Sequence, residues 1–171
     1  MVHSFIIAET NSQVLFSSVF NFLEDPDDRE KQIKYFAQRV KKEFEFNTSV
    51  SSNNFDDFSE AYIVDIETKG IFNLKLKNVE KQIVWHSYYG CLYILVCDQT
   101  DNRILAASTL FFLIKTIKDL LPKITLSHSE IVQKADVISV VVNTFMPCGQ
   151  LLFINNQAAQ QLIKDIQKAI R

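Results

Sequence analysis

Ile83-Val84-Trp85-His86-Ser87-Tyr88-Tyr89-Gly90-Cys91-Leu92-Tyr93-Ile94-Leu95-Val96-Cys97 is the stretch that decides the fold. Its first seven residues read as a strand and Gly90 interrupts it. The seven residues that follow are apolar without a break, at strand length. A strand with no polar face must be covered on both sides, so it belongs in the middle of a sheet. Asp98-Gln99-Thr100-Asp101-Asn102 is a polar turn, and residues 103–121 then read as a long helix. Ile104, Leu105, Leu110, Phe111, Leu113, Ile114, Ile117, Leu120 and Leu121 spread over most of its circumference. Such a helix cannot leave one side to water. A small domain has little interior to hide both elements, so the apolar surplus implies a subunit finished by partners.

Outward from this centre the pattern stays regular. Residues 2–8 and 14–20 are apolar runs separated by a polar turn and read as a hairpin. Asp25-Pro26-Asp27-Asp28 combines three helix-start signals: an N-cap acid, proline at the first position and acids in the first turn. The helix it opens places Ile33, Phe36, Ala37, Val40 and Phe44 on one stripe. Its mixed-charge face reads as solvated, or as a contact for an acidic partner. Residues 47–59 are rich in Ser, Asn and Asp and read as a loop, and residues 62–66 as an extra edge strand. Residues 70–76 alternate, with Ile71 or Phe72 starting a face continued by Leu74 and Leu76, and residues 78–81 form the turn to the Trp85 strand. Pro122 ends the long helix. Ser127-His128-Ser129-Glu130 is a capping box with Ser127 at the cap. The helix it starts buries Ile131, Ala135, Ile138, Val142 and Phe145 and ends at Pro147-Cys148-Gly149. A last helix begins near Asn156 and carries Leu162, Ile163, Ile166 and Ile170. The element order read from these residues is strand-strand-helix-strand-strand-strand-helix-helix-helix. The 171 residues suit one domain.

Composition narrows function by exclusion. A net charge of -2 gives no basic footprint for nucleic acid. Gly and Pro number 3 each, so regular elements are joined by short turns. Three cysteines with no framework spacing favour a reducing compartment. The start lacks a basic n-region, so no signal peptide is expected, and no apolar stretch reaches the ~20 residues that span a bilayer. Chemistry is not legible. His3, His86 and His128 lie on different elements, and metal sites need converging ligands. Cys91 and Cys97 share one strand face ~20 Å apart, too far for one metal or one disulfide. No glycine-rich phosphate loop is present. Asp98 and Asp101 could pair as carboxylates, but a strand end at Asp98 and a helix cap at Asp101 or Asn102 account for them.

The order of two strands, a helix, a three-strand meander and then helices is that of a longin domain. The block from Ile83 to Gly90, the seven apolar residues and Asp98-x-x-Asp101-Asn102 together resemble the centre of an adaptor-complex sigma (small) chain. Met1-Val2-His3, Glu30-Lys31-Gln32-Ile33 and Pro147-Cys148-Gly149-Gln150-Leu151-Leu152-Phe153 narrow the resemblance to the sigma branch of adaptor protein complex 5. The resemblance covers nearly the whole chain apart from residues 47–59. It implies an α+β fold, an α/β/α sandwich in which a five-stranded, mostly antiparallel sheet lies between the first helix and the long helix, with extra C-terminal helices: a longin-like core over residues 1–146 and a C-terminal extension over 147–171. Gly90, Asp98, Asp101, Asn102, Pro147 and Gly149 are its structural motif residues.

The same resemblance implies a non-enzymatic role without cofactor or nucleic acid. The chain would sit in a heterotetramer with large (zeta), beta and mu subunits, and associate with spatacsin and spastizin. That complex acts in retrieval from late endosomes to the Golgi, so the expected location is cytoplasmic, peripheral on the late endosome or lysosome membrane. Another longin-type module, in a trafficking particle or a small-GTPase exchange factor, is the alternative. Related sigma chains bind acidic dileucine signals in a pocket that by position would be lined here by Tyr89, Ile114 and Ile124. Tyr89 replaces a small alanine of those relatives, and Ser12-Gln13-Val14 replaces their basic residue. A vestigial pocket is the expectation.

Overall fold

The unbroken apolar strand is the centre of the sheet. The computed structural model describes residues 1–20, 25–52, 67–76, 79–125, 127–153 and 155–170. Its five strands are β1 (Val2–Glu9), β2 (Val14–Val19), β3 (Lys69–Leu76), β4 (Val79–Tyr88) and β5 (Cys91–Asp98). They lie in the order β2-β1-β5-β4-β3, every neighbouring pair antiparallel. β5 therefore has two strands on each side. Leu92, Ile94 and Val96 point to one face and Cys91, Tyr93, Leu95 and Cys97 to the other, all at most 1 % exposed.

Five helices cover those faces: α1 (Pro26–Ser52), α2 (Arg103–Leu120), α3 (Ser129–Gln133), α4 (Ala135–Phe145) and α5 (Asn156–Ile170). α1 lays its stripe of Ile33, Phe36, Ala37, Val40 and Phe44 on one side, against Ile6, Ile83, Trp85 and Ile94. On the other side α2 lies over β4 and β5, while α3 and α4 lie near β2. Leu110, Leu113 and Ile117 of α2 meet Ile138, Val142 and Phe145 of α4 in the second core. α5 closes over α4 and α2 with Ala159 and Ile166, which are 4 % and 1 % exposed. Much of the apolar circumference of α2 is thus covered by the chain itself. β3 shows which reading of its alternation holds: Phe72, Leu74 and Leu76 pack toward α1, and Ile71 faces the α2 side.

Four local expectations change. The loop read from residue 47 onward begins later, because α1 runs to Ser52. Its polar residues are held in the helix: Thr48 Oγ1 donates to the Phe44 carbonyl at 2.8 Å and Ser49 Oγ to the Phe46 carbonyl at 2.7 Å. That is the back-bonding open to hydroxyl side chains inside a helix. The rest of that loop, and the strand read over 62–66, lie outside the described residues. The turn read over 78–81 is mostly strand, since Val79, Glu80 and Lys81 pair with Leu76, Lys75 and Leu74. The capping box is not made. The Glu130 amide bonds the Ser127 carbonyl rather than its hydroxyl, and that hydroxyl lies 2.7 Å from Ser129 Oγ. The helix it was to open is two helices broken at Lys134, whose φ is -113°.

The polar turn after β5 ties four places together. Asn102 caps α2, its side-chain oxygen accepting from the amides of Ile104 at 2.9 Å and Leu105 at 3.1 Å. Asp101 accepts from the Asp98 amide at 2.9 Å and from the Met1 ammonium at 2.7 Å. Asp98 takes the same ammonium at 3.2 Å and the Lys81 ammonium at 2.7 Å. At the far end, Pro147–Gly149 forms a single 3-10 turn. Gly149 has φ +75°, and a Cβ there would stand 2.7 Å from the Val2 carbonyl and 2.8 Å from Phe20 Cβ. A glycine is what lets the chain leave α4 and press against the start of β1.

Two outcomes follow. Asn102→Ala removes the cap and costs about 1 kcal/mol, so its melting temperature by calorimetry falls about 2–4 °C for a chain of this size. Burial pushes the Asp98 carboxyl up, but its hydrogen bonds from Lys81 and the terminal ammonium outweigh that and hold it below its usual 3.8. A group with a lowered folded-state pKa stabilises fully above its unfolded value and loses that contribution as pH falls through the folded one. Asp98→Asn is therefore less stable than the parent at pH 6. Thermal melts taken at decreasing pH show the gap closing from about pH 4 downward.

Candidate functional site

The turn that joins β4 to β5 places Tyr89 and Gly90, both with positive φ, at 45° and 69°. Two consecutive left-handed residues are the geometry of a tight hairpin turn matched to strand twist, and glycine suits the second position. The Tyr89 ring stands edge-on to Tyr88 with centroids 4.5 Å apart, and Lys118 Nζ lies 5.1 Å from the Tyr88 ring. Tyr89 is 38 % exposed. Its carbonyl is 2.9 Å from His128 Nε2, and the other ring nitrogen of His128 is 3.1 Å from Glu9 Oε1. His128 thus bridges the end of β1, the β4–β5 turn and the entry to α3. Sequence reading placed it in a cap, because nothing local signals a partner 119 residues away.

Ile114 and Ile124, the other two residues expected to line a pocket, belong to the same buried core and are 5 % and 2 % exposed. Their side chains are inside the protein rather than on a wall open to solvent. Neither apolar groove of the chain, described next, is lined by Tyr89, Ile114 or Ile124.

The open apolar surface lies at the other end of α2. A groove of about 660 Å³ runs between α2 and the strands β3 and β4. Ile71, Val84 and His86 of the sheet form one wall, and Ile104, Ala107, Ser108 and Phe111 of α2 the other. A second hollow of about 280 Å³ lies across the same helix, between Ile104, Phe112, Leu152 and Phe153. Ile104 is 79 % exposed, Phe111 55 % and Phe153 89 %. Large apolar side chains gathered at this exposure form more than the scattered single residues usual on a protein surface. Burial holds His86 below its usual pKa, so it is largely neutral at pH 7.

The chemistry sought in the sequence does not assemble. His3, His86 and His128 remain on separate elements. Burial pushes the Cys91 and Cys97 thiols up to about 12, where no thiolate forms near neutrality. No group of three or more His, Cys, Asp or Glu among the described residues could hold a metal. No helix among them is long and apolar enough to cross a membrane.

Known proteins agree with the architecture. Residues 1–167 match the family described as AP-5 complex subunit sigma-1. The human AP-5 complex subunit sigma-1 is 28% identical, with 99% of this chain and 98% of that protein aligned. Among structures, a chain from a homology model of the full-length AP-3 complex in a stretched open conformation superposes with a TM-score of 0.60 at 11% identity. That match covers 99% of this chain and 94% of the other, and it speaks for the fold alone. With the sheet order, the two helical layers and the Asp98-to-Asn102 turn in place, the chain belongs to the AP-5 complex subunit sigma-1 family.

Proposed function

We propose that this chain is the non-enzymatic small subunit of a heterotetrameric adaptor complex, seated on the trunk of a large (zeta) subunit beside beta and mu chains. The observation that carries this is the uncovered apolar ridge of α2, Ile104 and Phe111, on a chain that matches its family over residues 1–167. Permanent interfaces resemble a protein core cut in half, and this ridge has that composition. The work of the assembly is retrieval from late endosomes to the Golgi, with spatacsin and spastizin as associates. The chain reaches the late endosome or lysosome membrane only through the complex. The core over residues 1–146 and the extension over 147–171 act as one sigma domain, the extension held by α5 against α2 and α4.

Affinity purification of the tagged chain from cells tests this, with mass spectrometry of what it retains. Stoichiometric zeta, beta and mu chains are expected. A small GTPase with its exchange factor in their place would move the chain to another longin assembly.

The dileucine pocket of related sigma chains is vestigial in this one. Ile114 and Ile124 are closed into the core, and the Tyr89 ring occupies the turn where those relatives carry alanine. The β1–β2 turn and the start of β2 offer Ser12, Gln13 and Val14 and no cation. A signal's acidic residue would lose a charge-assisted hydrogen bond of about 1.5–3 kcal/mol. Titration of an acidic dileucine peptide into the assembled complex should show no saturable binding at micromolar concentrations. Micromolar binding that disappears in Ile114→Asp would refute the reading.

A further inference from the structure

The sheet is covered unevenly. On the α2 side, one helix lies over β4 and β5, others lie near β2, and among the described residues no helix packs over β3. Strands stand ~4.8 Å apart and packed helices 8–10 Å apart, so two helices cover about four strands and leave the fifth bare. The residues that β3 turns to this side are Lys69, Ile71, Asn73 and Lys75, all exposed. The facing edge of α2 presents Ile104, Ser108 and Phe111, spaced i, i+4 and i+7. That spacing is one helical stripe, with a small residue at its middle where a neighbouring backbone can come close. The space left between them is the groove of about 660 Å³.

Two cations border the groove, one from β3 and one from α2. Lys69 and Arg103 line it, and neither has an ion-pair partner among the described residues. Arg103 is the first residue of α2, and no acid stands in that first turn. A cation there opposes the helix dipole. Glu67 is the nearby acid and lies 4.0 Å from His86.

We infer that this groove seats an amphipathic α-helix of a partner chain. Its apolar stripe lies between Ile71 and the Ile104–Phe111 ridge, and its acidic residues meet Lys69 and Arg103. The seated helix completes the layer over β3, running beside α2 as α4 does on its other flank. The inference rests on the proposed role as a complex subunit and adds the surface and the chemistry of the segment that fills it.

The test uses the full chain co-expressed with the zeta, beta and mu chains. Ile104→Asp and the double variant Lys69→Glu/Arg103→Glu are compared with Lys164→Glu, an exposed position on α5. Recovery of the complex is expected to fall about tenfold for Ile104→Asp and severalfold for the double reversal, with no change for the α5 control. Circular dichroism of each full chain checks that the fold is kept. A photo-crosslinking amino acid at position 111 then reports the neighbour. The expected product is a helical partner segment with acidic and apolar residues. Folded variants that assemble like the parent overturn the inference while leaving the subunit role intact. So does a crosslink to a second copy of this chain or to its own residues 53–66. A parent chain that retains none of the three subunits removes the subunit role, and the inference with it.

Discussion

Every layer of this fold answers to one requirement, that β5 be dry on both faces. Seven consecutive apolar residues cannot alternate between core and solvent, so the strand sits third of five and needs a helix on each side. α1 answers one face with a single stripe. The other face takes α2, and α2 in turn is too apolar to serve as an outer surface. α4 and α5 exist, in this sense, to cover a helix that covers a strand. The 3-10 turn at Pro147–Gly149 is where that third layer is pinned, because Gly149 fits against the Val2 carbonyl and Phe20 where a side chain would not.

The surplus of apolar surface is then a matter of place rather than amount. Counting residues on α2 suggests that most of its circumference awaits a partner. The chain's own C-terminal helices take up Leu113, Ile114 and Ile117, and what remains open is confined to the N-terminal half of the helix, at Ile104 and Phe111. An uncovered patch of that size, flanked by a bare edge strand, is specific enough to orient a partner. It also sits away from the Tyr89 turn.

What the sequence made legible follows from how local each signal is. The unbroken apolar run of β5, the alternation of β3 and the period-3.6 stripe of α1 are written in their own residues, whereas β4 begins at Val79, where the sequence reads as a turn. The end of α1 was not legible either, because Thr48 and Ser49 look like loop residues until their hydroxyls are seen on helix carbonyls. The break at Lys134 has no glycine or proline to announce it. Pairings distant in sequence were invisible for a different reason: His128 with Glu9 and Tyr89, and Met1 with Asp98 and Asp101, are set by the sheet order and by nothing in their neighbourhoods. The groove beside β3 belongs to the same class, since it exists only once β3 is known to be an edge whose α2-side face no described helix covers.

One indole stands between the sheet and α1. Trp85 is 1 % exposed, edge-on to Phe44 at 6.4 Å, and Gly70 opposite it has no side chain to push it away. As the sole tryptophan of the chain, it gives the α1 half of the molecule an intrinsic optical label. Its emission reports water entering that layer, and it is silent about the α4–α5 layer on the opposite side. The two halves can therefore be watched separately as the protein comes apart.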